Sequence, residues 1–179
     1  MTLHSSAISA LEQWTAPSAA EEGLRTQYVA HLTAHADALS RHCHPDHLTA
    51  SALVVSHDRS QVLLNLHGKY RIWMQFGGHC EDDDPSLAAA ALRETIEESG
   101  IAGLELASER PIQLDSHEVR CGPVRPAHHL DVRFVVVAPR AAEPSPSTES
   151  VAVRWFDRDR LPPGIERSVQ ELIDRAVAV

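Results

Sequence analysis

The chain has 179 residues, 43% of them hydrophobic, and a formal net charge of −9 at neutral pH. This length and composition favour one compact domain with a single apolar core. Because nucleic-acid binding needs clustered Lys and Arg, the acidic charge argues against a nucleic-acid partner. Three widely spaced cysteines, no signal-peptide pattern and no apolar run of membrane-spanning length predict a cytoplasmic protein without a membrane partner.

The N-terminal segment carries apolar residues at helical intervals and is interrupted near Pro17. This pattern predicts two helices, which we interpret as an N-terminal extension spanning residues 1–46, before a main domain at residues 47–179. The extension has three possible roles: it is a packing element, a lid over a substrate cleft or a contact in a homodimer. The segment His42 to His47 has zinc-ligand residue types, but no second ligand pair follows at a recognised spacing, so we favour a polar linker.

Two apolar runs, at residues 48–55 and 61–66, predict strands joined by a turn at residues 57–60. This hairpin leads the chain toward a pair of glycines. Three residues with basic or protonatable side chains lie between the hairpin and the glycines: His67, Lys69 and Arg71. We favour an exposed turn over a phosphate contact for this segment.

The stretch Gly77 to Ile101 joins a glycine turn, an acidic loop and a helical pattern. Asp84 followed by Pro85 is typical of an N-cap and a first helical position, and Gly100 is typical of a left-handed C-terminal residue. The sequence therefore predicts a helix over residues 85–99.

Three glutamates of this helix lie within about 100° of arc, and the apolar residues Leu92 and Ile96 point the opposite way. Like charges at this spacing repel, so a cation is expected among them, and Arg93 can satisfy only part of the set. Hard divalent cations such as Mg²⁺ take carboxylate ligands. A solvated acidic surface is the alternative interpretation. The three glutamates are Glu94, Glu97 and Glu98.

The second half of the chain predicts one well-defined strand at residues 128–138, with Asp131 and Arg133 on an otherwise apolar pattern. We interpret these two residues as a structural ion pair in preference to a substrate contact. A proline-rich loop at residues 139–150 precedes a predicted strand at residues 151–156. A C-terminal amphipathic helix follows, with apolar positions at Ile165, Val169, Leu172, Ile173 and Ala176.

The stretch from Gly78 to Ile101 resembles the Nudix box. That motif runs glycine, five residues, glutamate, seven residues, then R-E-aliphatic-x-E-E-x-G-aliphatic. In this chain Asp84 takes the place of the first glutamate, eight residues separate it from the arginine, and Thr95 replaces an aliphatic residue. The matching residues are Gly78, Arg93, Glu94, Glu97, Glu98, Gly100 and Ile101.

The resemblance implies an α/β/α sandwich with a mixed sheet and a metal-dependent pyrophosphohydrolase activity. The expected substrate is a nucleoside diphosphate derivative or a similar small molecule. The expected cofactor is Mg²⁺ or Mn²⁺, held by Glu94, Glu97, Glu98 and a backbone carbonyl near Gly78, with Arg93 orienting the glutamates.

By the same resemblance, the general base is Glu94 or a glutamate outside the box. Glu149 in the proline-rich loop is the first candidate of the second kind, followed by Glu118 and Asp115. His79 and Arg71 are candidate substrate contacts.

Two alternatives keep the fold without the hydrolysis. One is an isomerase of isoprenyl diphosphates, which uses a cysteine and a glutamate, and for which Cys80 is the candidate. The other is a nucleotide-binding regulator in which the acidic helix is only structural. Turnover separates an enzyme from a regulator, and phosphate release separates a hydrolase from an isomerase.

Overall fold

A computed structural model describes residues 2–119, 123–148 and 150–176. The helices are α1 (Leu3–Gln13), α2 (Ala19–Ala34), α3 (Leu87–Ser99) and α4 (Arg167–Arg175). The strands are β1 (His47–Val55), β2 (Gln61–His67), β3 (Trp73–Met74), β4 (Phe76–His79), β5 (Glu105–Leu106), β6 (Gln113–Val119), β7 (Ala127–Val137) and β8 (Ser150–Asp157).

The strands form one mixed sheet around the neighbouring strands β1 and β7. These two strands are parallel over their shared length, from His47 opposite His129 to Val55 opposite Val137. All other pairings are antiparallel: β2 and β4 with β1, β5 and β6 with β7, and β3 and β8 with β2. The predicted α/β fold with a mixed sheet is confirmed.

Helices cover both faces of this sheet. Alternate residues of a strand point to opposite faces, and the even-numbered residues of β1 and β7 pack in one core with apolar residues of α1, α2 and α3. The odd-numbered residues at the ends of the same strands pack against α4 in a second core, formed by Leu53, Val55, Val135, Val169, Leu172 and Ile173 among others. The predicted C-terminal packing helix is confirmed.

The two predicted N-terminal helices are present, and Ser18 caps the second by accepting a hydrogen bond from the backbone N–H of Glu21. Leu11, Tyr28 and Leu32 are fully buried in the same core as the sheet. Glu21 is 6% exposed, and its carboxylate accepts hydrogen bonds from the Leu114 backbone N–H and the Arg175 guanidinium. The helices are therefore packed into the molecule, and the division at residue 46 stays a prediction.

Helix α3 begins later than the sequence predicts, and the centre of its buried face lies beside Leu92 and Ile96. Ser86, not Asp84, is the N-cap, because the Asp84 carboxylate is bound to the Arg93 guanidinium. The predicted left-handed Gly100 closes the helix with φ of 68°. After Leu87 in the first turn, all the buried positions of the helix are small residues, which let the helix approach the sheet closely: Ala88, Ala90, Ala91, Thr95 and Ser99. Leu92 and Ile96 are partly buried and pack at the edge of the same core.

The remaining strand predictions agree with the structure within one residue at each end for β1, β2, β7 and β8. The weakly patterned region after α3 contains the short strand β5 and the start of β6. Among the described residues, no helix combines the length and the apolar character that crossing a membrane requires.

Candidate active site

The candidate site begins where β4 passes the C-terminal half of α3. The Gly77 backbone N–H donates to Glu98 Oε2 at 3.1 Å. A Cβ atom at Gly78 would lie 2.8 Å from Glu94 Oε2, and a Cβ atom at Gly77, where φ is +151°, would lie 2.3 Å from the Ser51 Cβ atom. Only glycine fits at position 77, whereas a Cβ atom at position 78 would displace the Glu94 carboxylate from its present place. The two glycines therefore let the backbone of β4 approach two carboxylates of the helix.

Arg93 organises the acidic groups around this contact. Its Nε and Nη2 atoms donate to the two carboxylate oxygens of Asp84 at 3.0 and 2.9 Å. Nη2 also donates to the His79 carbonyl at 3.0 Å, and Nη1 donates to Glu94 Oε1 at 3.1 Å and Glu97 Oε2 at 3.4 Å. The hydrogen bonds with Asp84, and then those with Glu94, raise the pKa of Arg93. Asp84 thus holds the arginine, and the arginine holds the loop and the helix together.

The three glutamates differ in their surroundings. Glu94 has 18% of its side chain exposed and Glu97 has 58%. Burial raises the pKa of Glu94, and the Arg93 hydrogen bond opposes that shift. Within the described part of the chain, these carboxylates do not form a set of three with all ligand atoms inside 4.8 Å, because Glu97 turns out toward Arg93 and solvent. Carboxylate and carbonyl oxygens are nevertheless the donors that Mg²⁺ and Mn²⁺ prefer, so the residue types fit a hard cation.

A second polar region lies on the sheet itself, and we call it the polar sheet face. The odd-numbered residues at the start of β1 and β7, with their partners on β4 and β6, point to one side of the sheet. The polar sheet face comprises His47, Thr49, Ser51, His79, Gln113, Asp115, His117, His129, Asp131 and Arg133.

The charges of the polar sheet face are paired. Arg133 donates to Asp131 Oδ2 at 2.9 Å and to Asp115 Oδ2 at 2.8 Å, so the predicted ion pair between Asp131 and Arg133 is present. Thr49 and Ser51 also donate to Asp131. Burial lowers the pKa of His117, but the hydrogen bond with Asp115 and the charges of Asp131 and Asp115 together outweigh this effect, so the net shift is upward. The network fixes the charged groups in place.

A cavity of about 260 Å³ opens over the polar sheet face and reaches Gly77 and Gly78. Lys69, Tyr70 and Gln75 line it beside His79 and Asp131. The predicted substrate contact His79 therefore lies at the cavity. Arg71 is exposed on the turn before β3 and is outside the lining of the cavity among the described residues.

Four histidine rings cluster at one end of the cavity, and the sequence patterns did not indicate this grouping. The His47 and His79 Nε2 atoms are 3.1 Å apart. The His129 ring centroid is 4.9 Å from that of His47, 5.3 Å from that of His79 and 5.6 Å from that of His117. Burial and then the charge of His47 lower the pKa of His79 to about 4, so its ring is neutral at pH 7.

Two of the other candidate bases, Asp115 and Glu118, belong to β6. Asp115 belongs to the network of Arg133 and His117, and Glu118 is exposed on β6. Glu149 lies outside the described residues. Of the candidate bases, Glu94 is the one that the structure places against Gly78.

Comparison with known proteins agrees with this geometry. The sequence model of the NUDIX domain matches residues 45–176, which include the whole sheet, α3 and α4. The chain belongs to the Nudix family. The segment that resembles the Nudix box is thus the box of a Nudix domain, and the enzyme class is that of a Nudix-type pyrophosphohydrolase. A search of curated protein sequences found no match.

Solved Nudix structures share the fold. A Nudix-family hydrolase from Clostridium perfringens has 24% identity and a TM-score of 0.58, with 72% of this chain and 96% of that chain covered. A MutT Nudix hydrolase from Burkholderia pseudomallei has 24% identity and a TM-score of 0.54, covering 73% and 97%. An Ap4A hydrolase from C. elegans has 16% identity and a TM-score of 0.60, covering 73% and 95%. Each of these three matches leaves a little over a quarter of this chain uncovered.

Proposed function

We propose that this Nudix protein hydrolyses a diphosphate linkage in a nucleoside diphosphate derivative, or in a similar small molecule, with Mg²⁺ or Mn²⁺ as cofactor. The observation that carries the proposal is the approach of Glu94 and Glu98 to the backbone of Gly77 and Gly78. The two glycines of this contact also line a cavity that is large enough for part of a nucleotide.

Glu94, Glu97, Glu98 and the Gly78 carbonyl are the groups that would hold the cation. Glu97 must turn inward from its contact with Arg93, and its 58% exposed side chain has the room to do so. A bound divalent ion would neutralise phosphate oxygens and lower the pKa of a bound water. Arg93, held by Asp84, keeps Glu94 oriented while the other two carboxylates adjust.

The cavity supplies groups that suit a nucleotide. Lys69 lies 5.3 Å above the ring of Tyr70, which is 42% exposed, so a cation and an aromatic surface stand together at the cavity. Gln75 is buried, and its Oε1 atom accepts no hydrogen bond within the described residues. We assign Lys69 to phosphate contact, Tyr70 to stacking and Gln75 to an N–H group of the substrate. The Ap4A substrate named for the C. elegans neighbour supports this class of ligand.

The attacking water needs a base. Glu94 is a candidate because burial raises its pKa toward the working range of a general base. Glu149 is the second candidate. It lies in the proline-rich segment of the sequence between β7 and β8, and related Nudix enzymes often use a glutamate outside the box. Either residue would accept the proton of the water as its oxygen attacks phosphorus.

The isomerase alternative depends on Cys80, and burial argues against it. Burial raises the pKa of the Cys80 thiol to about 12, so the thiol is protonated at neutral pH and is not available as the base that a shift of a double bond requires. Only a measurement of turnover distinguishes the regulator alternative from an enzyme.

The test is a substrate panel of nucleoside diphosphate sugars, dinucleoside polyphosphates, ADP-ribose and nucleoside triphosphates, each assayed with Mg²⁺ and with Mn²⁺. We expect two phosphorylated products, or one and inorganic phosphate, from at least one class, and loss of turnover when the metal is chelated. Binding of a panel compound without turnover would favour the regulator, and rearrangement without cleavage would favour the isomerase.

A further inference from the structure

Three of the clustered histidines come from three different strands, and strand register places their rings together. His47 at the start of β1 is directly opposite His129 of β7. His79 at the end of β4 is opposite Thr49, two residues along β1 on the same side of the sheet. The rings therefore converge from three backbone positions that the sheet holds rigidly.

The ligand atoms of these rings have the spacing that a metal ion needs. One ligand atom each of His47, His79 and His129 lies within 4.8 Å of the others. Two nitrogens bound to a tetrahedral Zn²⁺ at its usual bond length are about 3.3 Å apart, and the Nε2 atoms of His47 and His79 are 3.1 Å apart. A small rotation of the His129 ring would complete a triangle of nitrogens.

The chain also prepares one ring as a ligand. His47 is 1% exposed, and its Nδ1 atom lies 3.2 Å from the Cys43 carbonyl. Since a carbonyl can only accept, Nδ1 carries the proton and Nε2 presents its lone pair toward His79. A hydrogen bond of this kind fixes the tautomer and orientation of metal-binding histidines.

We propose that His47, His79 and His129 bind one Zn²⁺ ion, or a similar borderline divalent cation such as Co²⁺, at a site separate from the carboxylates of α3. Imidazole nitrogen suits these ions, whereas Mg²⁺ takes oxygen ligands. Three protein ligands leave a fourth position open. His79 and His129 line the cavity, so the open position faces the space assigned above to the substrate.

The histidine site goes beyond the proposed hydrolase function and does not depend on it. Its ligands are side chains of the sheet, and the glutamates of α3 contribute none of them. The His117 ring lies against the His129 ring, with 5.6 Å between centroids, and is hydrogen-bonded to Asp115. Zinc binding is therefore measurable without any substrate.

A second group of ligand-type residues in the chain provides a matched control. His35, Asp37 and Cys43 also have ligand atoms within 4.8 Å of one another, but His35 and Asp37 are exposed. His35→Gln removes a histidine from this group and leaves the three rings of the sheet unchanged. Glu98→Gln is a second control, because it removes a carboxylate from α3 and also leaves the three rings of the sheet unchanged.

The experiment measures Zn²⁺ binding to untagged, metal-free protein by competition with a chromophoric chelator, and Co²⁺ binding by visible absorption. We expect one tight Zn²⁺ site per chain and an intense absorption typical of low-coordinate Co²⁺. His129→Gln and His79→Gln should each weaken Zn²⁺ binding by more than the roughly 10–100-fold that loss of an outer hydrogen-bond partner causes. His35→Gln and Glu98→Gln should bind Zn²⁺ as the wild type does.

The proposal is overturned if the wild type binds no Zn²⁺, if the two ring variants bind it as tightly as the wild type, or if His35→Gln alone abolishes binding. Circular dichroism of each metal-free variant shows that a loss of binding is not a loss of fold. Should a ring variant fail to fold, the wild-type Co²⁺ spectrum and the metal-induced shifts of its imidazole NMR signals decide the question. Failure of this proposal leaves the hydrolase assay unaffected.

Discussion

Arg93 makes more contacts with acidic groups than any other residue of the candidate site that we describe. It binds Asp84 through both carboxylate oxygens and also reaches Glu94 and the His79 carbonyl. Such a fork-shaped contact depends on the planar guanidinium, which lysine cannot reproduce. The residue is therefore a positioning group for the carboxylates, and its charge alone is not sufficient for that role.

We predict that Arg93→Lys weakens Mg²⁺ or Mn²⁺ affinity by about tenfold or more, the equivalent of one lost charge-assisted hydrogen bond. The Michaelis constant for substrate at saturating metal should change less. Metal titrations followed by activity, and by Mn²⁺ paramagnetic resonance, measure both quantities. Arg167→Lys is the control, because the Arg167 side chain is 93% exposed on α4. A raised Michaelis constant with unchanged metal affinity would place Arg93 in the substrate site instead.

The two candidate bases differ in what their removal should do. Glu94 is also a proposed metal ligand, so Glu94→Gln should lower both metal affinity and turnover. We predict that Glu149→Gln lowers the turnover number by about 10²-fold, a typical contribution of general base catalysis, with metal binding nearly intact. Wild-type activity should rise with pH as the base loses its proton. Full activity of Glu149→Gln across the pH range, beside an inactive Glu94→Gln, would place the base in α3.

At the scale of elements, α2 is joined to the sheet by a buried hydroxyl. Tyr28 is fully buried, and its hydroxyl donates to the Asp115 carbonyl of β6 at 2.7 Å. Tyr28→Phe keeps the ring and removes that hydrogen bond, so we predict a loss of about 1 kcal/mol in the free energy of unfolding. Urea denaturation measures it, with Tyr70→Phe at a 42% exposed position as the control. Equal stability of the two variants would mean that α2 is held by apolar packing alone.

Helix α3 shows how far local patterns carry a prediction. Gly100 ends the helix as the sequence predicts, because a left-handed residue after a helix is a local requirement. The N-cap was predicted at Asp84, which is wrong, since a long-range ion pair with Arg93 takes that carboxylate. The packing of Leu92 and Ile96 was predicted correctly, but both are only partly buried and the centre of the buried face lies beside them. Apolar size favoured Leu92 and Ile96, but close packing on the sheet favours Ala91 and Thr95.

The polar sheet face could not be predicted from sequence patterns, because it also depends on contacts between distant parts of the chain. His47, His79 and His129 are far apart in the chain, and strand register alone brings them together. A single sequence contains no signal for which strands pair or with what offset. The ion pair between Asp131 and Arg133 was predictable, because the two residues lie two positions apart on one strand and so share a face.

Across the whole molecule, β4 connects two sites of different chemistry. The backbone at Gly77 and Gly78 meets the carboxylates of α3, while the side chain of His79, at the end of the same strand, joins the imidazoles of the polar sheet face. The oxygen-rich site suits a hard cation and the nitrogen-rich site suits a borderline one. The cavity is lined by Gly77, Gly78 and His79 of this strand.

The central claim is that hydrolysis depends on a cation held by the carboxylates of α3, and Glu98→Gln tests it most directly. The amide can still accept the Gly77 N–H hydrogen bond, so melting of the metal-free variant should shift little. Turnover of the best panel substrate at saturating Mg²⁺, with products followed by phosphorus NMR, should fall by about 10²-fold or more. Normal turnover by Glu98→Gln, with the same Mg²⁺ dependence as the wild type, would contradict the assignment of the metal to this helix.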